Sequence, residues 1–305
     1  MNRDSIDWSG PIPATTTPFR ADLSIDEESF AANIERLYEA GATGVVVAGC
    51  TGEFWALSNT ERARLGALAV EASAGRGPVI LGTGSIREDD VIAQISAAKD
   101  VGCDGVLVLP PYFAMVTDDE IVAHFKAINA ASSLPIVLYN IPACAVNAIS
   151  PEVASRCAEF DKVVAIKESS GDWSIFEETL DRVGDQIKVF CGPSSVFGVK
   201  ATQAGADGLI DCFPNVWTDC LDIWKETRTG TADRAGRLQR VGKRMTDLFT
   251  SEGLTLYPAT KAVMNHLGVP GGGHLRPPYR DLAGPHLDRL IAEFDALEMR
   301  DKKTA

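Results

Sequence analysis

No stretch of the chain is apolar over the length that a signal peptide or a bilayer span needs. The first thirteen residues, MNRDSIDWSGPIP, break their few apolar positions with charge and proline. The expectation is a cytoplasmic protein with no membrane partner. Positive charge is scarce as well. Lys and Arg number 29 against 42 Asp and Glu, a formal net charge of −13, which argues against nucleic acid and anionic lipid as partners. It leaves an anionic substrate open, because a local site can oppose the global field. Histidine occurs four times, with no His-Glu-x-x-His pattern. The seven cysteines are an odd count with no Cys-x-x-Cys pair. That spacing suits reduced thiols rather than a disulfide framework or a zinc site, and no metal or other cofactor is expected.

What is present points to an enzyme-sized α/β domain. The 305 residues, 45% hydrophobic, suffice for one large domain with at most a small appendage. Short Val-, Ile- and Leu-rich runs at 12–15, 44–49, 78–82, 105–109, 135–139, 163–167, 188–191 and 208–212 lack alternation, as strands covered on both faces do. Amphipathic stretches lie between them. Ser58 before Glu61 and Ser150 before Pro151 mark helix starts, and Gly41, Gly102 and Gly205 mark helix ends. Three helix-to-strand connections read alike: EAGATG, KDVGCDG and QAGADG. Eight such units predict a (β/α)8 TIM barrel over residues 1–225. The strand signal stops near Val216, so 226–305 is expected to be a C-terminal helical region. An open doubly wound sheet is the structural alternative, but no Gly-x-Gly-x-x-Gly fingerprint supports it. The Gly271-Gly272-Gly273 run reads as a flexible turn.

In such a barrel the active site lies at the carboxyl ends of the strands. Lys167 ends the run VVAIK, where apolar neighbours disfavour its charged form. A neutral amine there can attack a carbonyl, and the iminium formed is an electron sink. The alternative is a lysine paired with a carboxylate such as Glu168. Tyr139 ends IVLY, and its phenol can carry protons or simply bond a core carbonyl. Gly49-Cys50-Thr51-Gly52-Glu53 follows an apolar strand, and its N–H groups with the Thr51 hydroxyl can cradle a carboxylate. Gly82-Thr83-Gly84-Ser85 is similar and is a candidate phosphate loop, weak evidence by itself. His124, Trp217 and Trp224 read as packing residues.

Together these pieces resemble the dihydrodipicolinate synthase / N-acetylneuraminate lyase family. Five motifs stand in the family's order: GCTGE at 49–53, GTG at 82–84, PPY at 110–112, LYNIP at 138–142 and IKESSG at 166–171. The resemblance covers nearly the whole chain. It implies a Schiff base on Lys167, proton transfer by Tyr139, and a 2-oxo acid carboxylate held by Thr51 with adjacent backbone including Gly52. It also implies Gly192 and Ile210 at the base of the site, and a homo-oligomer, dimer or tetramer.

The departures from the synthase are specific. Cys50 replaces a hydroxyl residue, and Phe113 replaces a tyrosine, so of the synthase's three relay hydroxyls only Tyr139 is kept. Cys144 stands where the synthase has an arginine for the second substrate's carboxylate, and a thiol cannot replace a bidentate cation. Phe54 takes a place that is commonly small or polar, which makes the pocket more apolar on that side. Asp211 adds a carboxylate that can replace part of the relay if it faces the barrel mouth, and is structural if it bonds a neighbouring loop. The leading expectation is a Schiff-base aldolase or dehydratase of a hydroxylated 2-oxo acid. A deaminase of a cyclic imino acid, dihydrodipicolinate synthase-type condensation and a barrel that binds without turnover are the alternatives.

Overall fold

The structure, a computed structural model, describes residues 1–297. Eight parallel strands form one sheet: β1 (Gly10–Pro11), β2 (Val45–Val47), β3 (Val79–Gly82), β4 (Gly105–Val108), β5 (Ile136–Asn140), β6 (Val163–Glu168), β7 (Lys188–Cys191) and β8 (Gly208–Leu209). Each lies beside its sequence neighbour, and β8 returns to β1. The ring closes at β2, where Ala14 bridges Val46. The Val46 N–H donates to the Pro13 carbonyl at 2.8 Å, and the Thr15 N–H donates to the Val46 carbonyl at 2.9 Å. This is the (β/α)8 barrel that the repeated strand–helix units predict.

Helices cover the outside: α1 (Glu27–Glu39), α2 (Asn59–Ser73), α3 (Glu88–Asp100), α4 (Asp118–Ala131), the four-residue α5 (Pro142–Ala145), α6 (Pro151–Ala158), α7 (Trp173–Val183), α8 (Ser194–Ala204) and α9 (Asp222–Thr229). Their ends follow local chemistry. Ser58 and Glu61 form a reciprocal capping box on α2, and Ser150 accepts from the Val153 N–H on α6. Gly41, Gly102 and Gly205 all have positive φ, which lets each chain reverse from helix to strand without a Cβ clash.

The two-residue period of the strands divides the core. In β5, Ile136 and Leu138 join the layer between strands and helices, while Val137 and Tyr139 join the cluster inside the barrel. Phe190 of β7 and Ile210 fill the lumen, and Trp8 plugs its amino-terminal end against Gly105, where a Cβ would strike the indole. Truncating Phe190 to Ala would leave a cavity worth about 3–5 kcal/mol.

The sequence-based division at residue 225 falls inside α9, the helix of the eighth unit. Beyond it, α10 (Ala232–Phe249), α11 (Leu256–Leu267) and α12 (Gly284–Asp295) form the C-terminal helical region. Gln239 of α10 ties to α8 through the Val199 N–H and the carbonyls of Ser194 and Ser195. The glycine run after α11 is pinned on several sides. Asn265 bonds both the N–H and the carbonyl of Gly273, Ser29 accepts from the Gly271 N–H, and Thr16 donates to the Gly271 carbonyl. The expected flexible turn is thus a fastened one, held by nearby Asn265 and by Thr16 and Ser29 far away in sequence.

Candidate active site

Strand register decides which residues share the barrel mouth. Tyr139 of β5 is the Cα partner of Lys167 on β6, and Asn140 is the partner of Glu168. The first pair faces the lumen. The Lys167 Nζ lies 4.2 Å from the centroid of the Tyr139 ring. The second pair faces the other way. Asn140 donates to Glu168 Oε1 at 2.8 Å, and the Ser170 N–H donates to the same oxygen at 2.9 Å. Glu168 is therefore engaged away from Lys167. Among the described residues no carboxylate lies within ion-pair distance of Lys167.

Burial sets the ionisation of these groups. Lys167 is 6% exposed, and burial pulls its ammonium below the ordinary lysine range, opposed by Cys50, Asp211 and Cys212. The Cys50 and Cys212 thiols are themselves pushed up by burial, so near neutral pH they carry no charge. The Asp211 carboxylate remains as the counter-charge in that group. Burial drives the Tyr139 phenol well up, with Cys50 adding to the effect. A phenol held protonated is a donor first and an acceptor only after it has given its proton.

The 49–53 turn is tight and strained. Ala48 and Glu53 both have positive φ, and a Cβ on Gly52 would lie 2.9 Å from Ala48 Cα, so position 52 admits only glycine without a shift. Thr17 donates to the Gly52 carbonyl at 2.8 Å, and the Glu53 N–H donates to Cys50. The Thr51 and Gly52 N–H groups take no partner among the described residues. Glu53 turns inward and forms a buried ion pair with Lys261 of α11. Burial raises the Glu53 carboxyl and lowers the Lys261 ammonium, each opposed by the other's charge. Lys261 also donates to the His274 carbonyl at 2.7 Å.

The remaining expected residues fall in three places. Ile210 is fully buried in the lumen cluster, and the Gly192 N–H donates to the Glu168 carbonyl at 2.8 Å. Asp211 sits on the first turn of α8, accepting from the Ser195 N–H at 2.7 Å, the Ser194 hydroxyl at 3.0 Å and the Cys212 N–H. Its charge reaches Lys167, while both its oxygens already accept hydrogen bonds. Phe54 and Cys144 line the mouth with Cys50. Phe113, 84% exposed and with positive φ, turns away from it. His124, Trp217 and Trp224 pack as expected: the first two are buried and Trp224 lies against the outer core.

Three aromatic residues of the site carry no local sequence signal. Tyr257, in the first turn of α11, packs against the lumen cluster that holds Tyr139 and Cys50. Burial drives its phenol well up. Trp55 and Tyr279 stand beside it, with ring centroids 5.8 Å and 6.3 Å from Tyr257. These residues enclose a cavity of about 340 Å³ above Cys50 and Cys144. The only possible cue was the tyrosine spacing itself, Tyr257 and Tyr279 on either side of the glycine run.

This geometry has known counterparts. The chain is 41% identical over 237 residues to a 4-hydroxy-tetrahydrodipicolinate synthase of Hyphomonas neptunium, covering 76% of this chain and 80% of that one. It is 32% identical over 294 residues to a DapA-like lyase of Rhizobium meliloti, covering 96% and 97%. The solved dihydrodipicolinate synthase DapA-2 of Bacillus anthracis superposes with a TM-score of 0.89 at 27% identity, over 95% of this chain and 99% of that one. A family model matches residues 7–296, and with the barrel, the strand-end lysine and these relatives it shows that the chain belongs to the Dihydrodipicolinate synthetase family.

Proposed function

We propose that the protein is a lyase that binds a small 2-oxo acid as a Schiff base on Lys167 and cleaves or dehydrates its hydroxylated tail. The observation that carries this reading is a buried lysine at a strand end, with no carboxylate partner among the described residues and seated over the Tyr139 ring. Family membership supports it. The neutral amine attacks the 2-oxo carbon. Tyr139 gives its proton to the hydroxyl that leaves as water, and the phenolate then takes a proton back in the next step. The Thr51 hydroxyl and the open Thr51 and Gly52 N–H groups hold the carboxylate, and Gly192 and Ile210 shape the floor. Asp211 balances the iminium charge and is a candidate to exchange protons with the site. No metal or organic cofactor enters these steps.

The reading includes a cytoplasmic homo-oligomer, dimer or tetramer. Sedimentation velocity checks the second part, and a species of 32.6 kDa across the micromolar range would contradict it. The chemical core is tested by borohydride reduction in the presence of pyruvate, followed by peptide mass measurement. A reduced pyruvate adduct on Lys167 is expected. An unmodified Lys167 after reduction would sink the proposal. Pyruvate release and water loss, measured separately over a set of 2-oxo acids, then assign cleavage or dehydration.

A further inference from the structure

The cavity beside Cys50, whose thiol also feels the Lys167 charge, is walled by rings. Tyr112 meets Phe54 edge to face at 6.3 Å and 82°. Phe54 meets Trp55 at 5.3 Å and 68°, and Trp55 meets Tyr279 at 5.5 Å and 76°. Tyr257 closes the set against both Trp55 and Tyr279. Among the described residues no charged side chain lines this cavity. The guanidinium behind Phe54 belongs to Arg62, which donates to the carbonyls of Gly84 and Phe54 and to Gln94. Arg276, next to the Pro278–Tyr279 wall, is committed to Glu61 and to the carbonyls of Leu23 and Ala56. Neither is free to meet an anion. Cys144, an exposed residue of the lining, offers a thiol.

We infer that the second half of the substrate, the part lost as an aldehyde, carries a flat apolar or aromatic tail rather than hydroxyls or a carboxylate. This rests on the Schiff-base reading above and names the substrate class of that same site. A polyhydroxylated tail would lose its water hydrogen bonds against rings that return few of them. A carboxylate would be desolvated with no cation to receive it. An aryl group gains area burial together with edge-to-face contacts on several sides.

In the cleaving direction the substrate is a 4-aryl-4-hydroxy-2-oxo acid. The Lys167 amine adds to C2, and water leaves to give the iminium. The C4 hydroxyl gives up its proton to a base. The C3–C4 bond breaks with its electron pair passing into the enamine, and the aryl aldehyde departs. The enamine takes a proton at C3, and water then releases pyruvate and restores the amine. No oxidant or reductant is consumed.

The test runs the reverse reaction on the full-length protein. Pyruvate is offered with benzaldehyde, glyceraldehyde, glyoxylate and betaine aldehyde, and the condensation products are quantified by mass. Benzaldehyde is expected to exceed each of the others in kcat/KM by at least about tenfold. Trp55→Ala and Tyr279→Ala are each expected to narrow the benzaldehyde-to-glyceraldehyde ratio by about tenfold. That ratio is taken within one preparation, so partial unfolding does not move it. Equal rates, a preference for glyceraldehyde or glyoxylate, or no condensation with any aldehyde would overturn the inference. So would a preference for betaine aldehyde, which would make the rings a cage for a cation. Borohydride trapping of pyruvate in the same samples separates the two levels: an adduct without aryl preference leaves the Schiff-base reading standing, and no adduct removes both.

Discussion

At the scale of the residue, the proposed chemistry turns on one buried amine. Burial disfavours the Lys167 ammonium and lowers its pKa. The nucleophilic neutral form therefore grows as pH rises through that lowered value, below the roughly 10.4 of a free lysine. The initial rate of pyruvate trapping is expected to climb with pH and reach its midpoint short of the free-lysine range. Asp211→Asn removes a counter-charge, so the midpoint should move to lower pH. If Asp211 also exchanges protons, steady-state turnover falls by about a hundredfold or more. A shifted midpoint with normal turnover would make Asp211 an electrostatic partner only, as its two hydrogen bonds from α8 and one from the Cys212 N–H would allow. Lys167→Arg keeps the charge and is expected to lower turnover by roughly three powers of ten. A folded variant with near-normal rate would end the covalent mechanism. With Cys144 in place of an arginine, condensation of aspartate semialdehyde with pyruvate should be negligible, and efficient formation of the cyclic product would show a cation at work elsewhere. The convergence of Lys167 and Tyr139 was legible in the sequence because each closes an unbroken apolar run. The direction of Asp211 was not, since a strand-end carboxylate can turn to the lumen or to the next helix with the same neighbours in sequence.

At the scale of the element, the turn after β2 and the helix α11 are joined by one buried pair. Glu53 and Lys261 are 0% and 2% exposed, so removing either charge strands the other in a low dielectric. Lys261→Met is expected to cost about 3–5 kcal/mol, measured by urea unfolding. Glu53→Gln with Lys261→Met should recover most of that loss. A double variant as unstable as the sum of its singles would mean that the two sites act independently. The pair was invisible in the sequence, where 208 positions separate its members. The first strand shows a subtler limit. The apolar run suggests 12–15, yet the ladder begins at Gly10. The N–H groups of Gly10, Ile12 and Ala14 donate toward β8, while Pro11 and Pro13 offer only carbonyls toward β2. Prolines at alternate positions remove two donors from one edge, which thins the pairing and leaves β1 two residues long.

At the scale of the whole molecule, the proposed 2-oxo acid substrate is an anion that must approach a chain with a net charge of −13. The overall field repels pyruvate, and salt screens it over a Debye length of about 10 Å at 0.1 M. The trapping rate at subsaturating pyruvate is expected to rise roughly twofold or more between about 10 and 200 mM salt. A falling rate would show that local positive potential at the mouth dominates. The barrel itself was legible, because eight apolar runs with similar helix-to-strand joints admit few topologies. The contribution of the C-terminal region was not, since a helical pattern says nothing of which end leans over the barrel. That arrangement bears on how such an enzyme changes its diet. The groups proposed to make and break bonds ride on the buried strands β5 and β6, while Tyr257 and Tyr279 arrive from a single stretch of about two dozen residues. Descent with variation in that stretch can retailor what the mouth accepts while the inherited reaction stays untouched beneath it. Exchanging residues 255–279 between relatives is accordingly the smallest graft that would carry appetite from one lineage to another without carrying mechanism.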